Sequence, residues 1–116
     1  MGAGAGGELS QEPAPLEACA SNGVNYHKRM IYVYVLLSEA DEQFYTGMTS
    51  DLRRRFEEHN AGQVASTKHR LPFRLVYYEA CVSRADAAAR EKYLKTGMGK
   101  RYLKNRLKDF LGGLPR

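Results

Sequence analysis

The chain has 116 residues, room for one hydrophobic core and not for two. Hydrophobic residues at 43% and charged residues at 27% match an average globular chain, which excludes disorder throughout and a fibrous repeat, and no apolar run approaches the ~18 residues of a membrane span. The formal net charge of +5 is unevenly spread: residues 1–29 carry three acids and two bases, whereas residues 30–116 carry ten acids and sixteen bases, an excess that suggests a phosphate-rich partner.

Residues 1–28 open MGAGAGGELSQEPAPLEACASNG, small and polar residues with almost nothing to bury, and are expected to form a flexible tail. Gly2, Gly4 and Gly7 satisfy the G-x-G-x-x-G pattern, but no strand delivers the motif, so it is a coincidence of composition. There is no basic patch followed by an apolar stretch, so no secretory signal is read and cytoplasmic residence is expected. Cys19 and Cys81 make no disulfide framework, and with His27, His59 and His69 scattered they do not have the spacing of a zinc site.

Order is expected to begin near Met30 and to span residues 29–112, with a short tail over 113–116. The run IYVYVLLS is β-branched and aromatic and apolar on both faces, the pattern of a strand covered on both sides. EADEQ supplies a turn and FYTGM a second strand, so Ile31 to Met48 reads as an antiparallel hairpin. A turn centred near Glu39 and Ala40 would set Tyr34 opposite Tyr45 on one face. Ser50 or Asp51 then caps a helix, DLRRRFEEHN, closing near Gly62, with Leu52, Phe56 and His59 at inward spacing and Arg55 one turn before His59.

The loop GQVASTKHRLP is polar and basic, and FRLVYYEA is a third strand. Ser83 and Asp86 resemble a capping box before a helix from about Arg84 to Lys95. Gly97 and Gly99 are expected to break the pattern. The last helix, KRYLKNRLKDF, then buries Leu103, Leu107 and Phe110 and turns Lys100, Arg101, Lys104 and Lys108 outward.

Tyr32-Val33-Tyr34 and Tyr45-Thr46-Gly47 on the hairpin, Arg55 and His59 on the following helix, and Glu91 within REKYLK form an ordered set. In this set the chain resembles the GIY-YIG nuclease family, in its small single-domain branch, over about residues 30–112. Tyr32 replaces the first glycine of the signature and Thr46 the second isoleucine. Met48 stands where some members carry a basic residue, and Asn105 is set against a late asparagine.

The resemblance implies an α+β fold in which a three-stranded antiparallel sheet packs against helices, and a metal-dependent endonuclease, on DNA in the first instance. It implies that Tyr34 helps deprotonate water, Arg55 binds the scissile phosphate, Tyr45 and His59 orient groups or relay protons, and Glu91 holds one Mg²⁺ or Mn²⁺. Lys68 and Arg70 of the loop, with Lys100, Arg101, Lys104 and Lys108, would track a nucleic-acid backbone.

Each residue also has an ordinary reading. The tyrosines suit any strand, Arg55 can be a solvated charge beside Arg53 and Arg54, and His59 can be a helix-terminal cation. Glu91 lies on the stripe made by Ala87 and Leu94, where it would need an edge position or an ion pair with Arg90 or Lys95. The same features also fit a nucleic-acid binding module that cleaves poorly, or a protein-interaction domain with a basic surface.

Overall fold

The computed structural model describes residues 30–114. The tail read over 1–28, with its glycine pattern, Cys19 and His27, lies outside them, as do residues 115 and 116. The described residues form an α+β domain: β1 (Ile31–Ser38), β2 (Phe44–Thr49), α1 (Leu52–Asn60), a 3₁₀ turn (Lys68–Arg70), β3 (Phe73–Cys81), α2 (Arg84–Leu94), α3 (Gly97–Arg106) and α4 (Lys108–Gly112). The sheet is antiparallel throughout, in the order β2-β1-β3.

β1 is central, which explains why it is apolar on both faces. On one face Ile31, Val33 and Val35 pack with Ala87 and Leu94 of α2 and Leu103 of α3. On the other Tyr34 and Leu36 pack with Phe73, Leu52 and Phe56. Against β3 the register slips between Val35 and Leu36, so Val35 faces Tyr77 while Leu36 faces Leu75. That bulge puts Phe73, Leu75 and Tyr78 on one face despite their odd spacing.

The hairpin turn is the expected EADEQ stretch, but it centres between Ala40 and Asp41, one residue later than expected, and Ser38 organises it. The buried Ser38 Oγ accepts from the amides of Ala40 and Asp41 and donates to Arg70 O at 2.7 Å. Tyr34 therefore faces Gly47, and Leu36 faces Tyr45, a shift of two residues from the expected pairing. An even shift preserves the face, so Tyr34 and Tyr45 still share one side.

The helix starts follow from caps: the Asp51, Ser83 and Thr96 side chains accept from the amides three residues on. Gly62 closes α1 at a φ of 76°. Gly97 and Gly99 do not break a helix; they open α3. Gly99 is there for proximity, since a Cβ would lie 2.5 Å from Leu94 Cα and closer still to Tyr93 O. The expected single last helix divides at Leu107 into α3 and α4, with Leu103 fully buried and Leu107 and Phe110 half-buried. In the C-terminal segment Leu114 lines a hollow of about 320 Å³ with Leu37, Arg74 and Leu111.

Replacing glycine by alanine inside a helix ordinarily stabilises by about 0.5–1 kcal/mol. At Gly99 the clash is with backbone and wins: Gly99→Ala is expected to destabilise by about 1–3 kcal/mol, read as a lower melting temperature. An unchanged or higher melting temperature would mean that α2 and α3 can move apart freely.

Candidate active site

Tyr34 is the centre of the arrangement, a tyrosine only 1% exposed on the central strand. Its ring can lie over β2 because Gly47 has no side chain. A Cβ there would fall 2.6 Å from Tyr34 Cζ and nearer still to Oη. Tyr45 stands on the same face, its ring centroid 6.4 Å from that of Tyr34.

The opposing wall is α1. Leu52 and Phe56 seat it on the sheet, and His59, in its last turn, is fully buried. The imidazole sits edge-on to Tyr45 at 5.0 Å and to Tyr34 at 5.7 Å between centroids. Its Nε2 shares a hydrogen bond of 2.9 Å with Tyr34 Oη, and its Nδ1 one of 2.8 Å with Thr67 Oγ1. Burial lowers the His59 pKa and Arg55 lowers it further, against a smaller opposing pull from Glu58, so the ring is neutral at pH 7. It is thus not a helix-terminal cation.

Arg55, one turn earlier, is half-exposed and donates to Glu58 Oε1 at 3.0 Å. Glu58, and then Tyr34, raise its pKa, so it is permanently charged. Arg53 and Arg54 are exposed, and Arg54 reaches Asp51 and Glu58 only at 3.9 Å. The Tyr34 pKa is raised above that of a free phenol, chiefly by burial and also by the charges of Tyr45 and Glu91, while Arg55 pulls it down. At neutral pH Tyr34 is a protonated phenol.

Glu91 comes from the helix on the other face of the sheet, yet its charge is felt at Tyr34. Its half-buried carboxylate pairs with Lys95 at 3.1 Å. Arg90, the other partner foreseen for it, is committed to Glu79 by bonds of 2.8–3.0 Å, between the rings of Tyr93 and Tyr102. Among the described residues no three His, Cys, Asp or Glu side chains gather to enclose a metal. A single carboxylate completed by water and phosphate oxygens is nevertheless a usual way to hold Mg²⁺, and Glu91 fits that pattern once Lys95 yields.

Against known proteins, a family model described as the GIY-YIG catalytic domain matches residues 30–108. The chain belongs to the GIY-YIG family. Its members are nucleases that act on nucleic acid, so this is a nuclease-type domain. The chain is 42% identical over 73 residues to a UPF0213 protein of Haloquadratum walsbyi, covering 62% of this chain and 76% of that one. It is 46% identical over 65 residues to a UPF0213 protein of Streptococcus pyogenes serotype M5, covering 55% and 70%, and 43% identical over 67 residues to one of Clostridium perfringens, covering 57% and 71%. No solved structure gives a significant match.

Within this GIY-YIG domain the structure brings Tyr34, Tyr45, Arg55 and His59 together, with Glu91 near enough to act on Tyr34. It also adds Thr67, fully buried in a segment that reads only as polar and basic. Sequence offers no signal that one threonine in that loop is turned inward. Lys68 is exposed, but Arg70 is engaged inside the chain: it binds Asp41 at 2.7 Å, donates to Gln43 O, and lies over the Phe73 ring. Lys100, Arg101, Lys104 and Lys108 are exposed as expected. Lys100 and Lys104 border a hollow of about 410 Å³ with Asp41, Glu42 and Phe44, at the turn end of the hairpin. Met48 packs among the apolar residues below the sheet, and Asn105 is exposed. Among the described residues no helix is long and apolar enough to cross a membrane.

Gly47→Ala is expected to destabilise the domain by about 1–3 kcal/mol in urea denaturation, through its collision with the Tyr34 ring. In a Tyr34→Ala background the penalty should largely vanish. Additive losses would show that the collision lies elsewhere.

Proposed function

We propose that this domain is a metal-dependent endonuclease that hydrolyses nucleic-acid phosphodiesters, with DNA as its substrate. The observation that carries the reading is the buried 2.9 Å bond between Tyr34 and a neutral His59, with the fixed charge of Arg55 beside it.

A phenol of pKa ~10 is ionised about one time in a thousand at pH 7, and burial makes Tyr34 rarer still in that form. A standing phenolate is therefore a poor starting point. A relay avoids it: as water attacks phosphorus, its proton passes to Tyr34 Oη while the phenolic proton passes to His59 Nε2. The relay leaves an imidazolium; because His59 is fully buried, its proton returns through Tyr34 Oη to solvent once the bond from phosphorus to the leaving oxygen has broken, and the leaving oxygen takes a proton from solvent. Arg55 offers a planar donor pair to two phosphate oxygens, and its attraction grows with their charge in the transition state. Tyr45 packs against the imidazole and keeps it aligned. Glu91, with water, would hold one Mg²⁺ or Mn²⁺, which supplies charge against the phosphate and leaving oxygens. The exposed Lys68, Lys100, Arg101, Lys104 and Lys108 add salt-dependent affinity for the backbone, whereas Arg70, already engaged, adds little.

Incubating the protein with labelled single-stranded, duplex and branched substrates, with and without Mg²⁺ or Mn²⁺, tests the proposal directly. Cleavage only with metal is expected. Glu91→Gln should abolish cleavage while the far-ultraviolet spectrum is kept, and wild-type turnover by that variant would remove Glu91 from the metal site.

Arg55→Ala should slow single-turnover cleavage by roughly a hundred- to a thousand-fold while weakening equilibrium binding only modestly. The lost pair with Glu58 is half-exposed and is worth at most about 1 kcal/mol, so the fold should survive. Arg53→Ala is the matched control. Equal, small effects in both variants would return Arg55 to the class of solvated helix charges.

A further inference from the structure

We infer that Thr67 is a positioning residue that holds His59 in the Nδ1–H tautomer, leaving Nε2 as the acceptor for the Tyr34 phenol. The inference rests on the nuclease reading for its consequence in rate, but its geometry stands without it. Thr67 is fully buried, and its hydroxyl has two partners: His59 Nδ1 at 2.8 Å and its own loop's Val64 O at 3.4 Å.

Four polar groups in a row must share their hydrogens, and only one assignment satisfies them all. Tyr34 makes one close hydrogen bond among the described residues, to His59 Nε2; of its other polar neighbours Arg55 can only donate, and Tyr45 and Glu91, which could accept, act on it by charge without a hydrogen bond. If Nε2 carried the hydrogen, the phenol would have to turn its own O–H away from the one group within hydrogen-bond distance, with no acceptor in reach among the described residues. The phenol therefore donates to Nε2. A neutral imidazole then carries its hydrogen on Nδ1, which donates to Thr67 Oγ1. Thr67 in turn donates to the Val64 carbonyl, the one acceptor left to it.

The groups facing His59 leave no rival for this role. From its own helix come Arg55 and Glu58, whose opposite charges act on the ring without bonding to it. From β1 and β2 come the two phenols, and from β3 the apolar Phe73. Among the described residues Thr67 alone bonds to Nδ1. In Thr67→Val the side chain keeps its shape but loses its acceptor, so an Nδ1–H would be buried without a partner. The imidazole is expected to move its hydrogen to Nε2. There it donates to Tyr34, and the relay loses its acceptor. Thr67→Ser restores the oxygen and should restore the tautomer.

The test is the side-chain ¹⁵N spectrum of His59, recorded in a chain whose His27 and His69 are replaced by Gln, for Thr67, Thr67→Val and Thr67→Ser. Nδ1–H is expected in the first and third and Nε2–H in the second. Single-turnover cleavage by Thr67→Val should fall on the order of a hundredfold with substrate affinity unchanged, and Thr67→Ser should stay near the parent. Nε2–H in the parent protein overturns the inference, as does a tautomer that Thr67→Val leaves alone. Lost cleavage with Nδ1–H intact would assign Thr67 to packing and equally overturn it. Should the parent protein cleave nothing, the nuclease reading fails, and the spectrum alone still decides what Thr67 does. Should Thr67→Val fail to fold, the parent and Thr67→Ser spectra carry the decision.

Discussion

The hydrogen bond between Tyr34 and His59 joins the central strand to the last turn of α1, and both fold and site depend on it. α1 turns Leu52, Phe56 and His59 to the sheet and pairs Asn60 with the Phe73 backbone at 2.8 and 3.0 Å, so polar bonds form part of its docking. Neither partner can be removed cleanly: loss of one leaves the other buried and unpaired, at a cost of about 1–3 kcal/mol. Chemistry and architecture therefore draw on the same few atoms, and substitutions here will disturb both.

The opposite face of the sheet is organised around an ion. Arg90 grips Glu79 with a fork of hydrogen bonds and is stacked between Tyr93 and Tyr102, while Tyr77 bonds to both Glu79 and Tyr102. Such a cage fixes the rotation of α2 about its own axis. Since consecutive residues on a helix are about 100° apart, fixing Arg90 also fixes the direction in which Glu91 leaves the helix. The residue proposed to hold the metal is thus placed by a basic neighbour outside the proposed site.

Much of this was legible in the sequence. The uniformly apolar IYVYVLLS announced a central strand, the caps at Asp51 and Ser83 marked helix starts, and the ordered tyrosines, arginine, histidine and glutamate carried the family resemblance. What escaped depended on tertiary contact. The centre of the turn, and with it the register, goes with Ser38, whose hydroxyl binds a carbonyl of a loop thirty-two residues away. Gly99 reads as a helix breaker until the backbone of the preceding helix is seen against it. Arg70 reads as a free cation, and Thr67 as one polar residue among many, because nothing local tells which side chains of a loop turn inward.

Gly47 gives the paired signature a physical meaning. The space its missing side chain would fill is occupied by the ring of Tyr34, so the second half of the motif is shaped by the first. The two positions are thus expected to change together. A lineage that gave up the tyrosine would release the glycine to drift, whereas one that keeps the tyrosine loses stability with any side chain beneath it. In descendants of this chain, a side chain at position 47 would therefore mark a lost tyrosine ring before any assay was run.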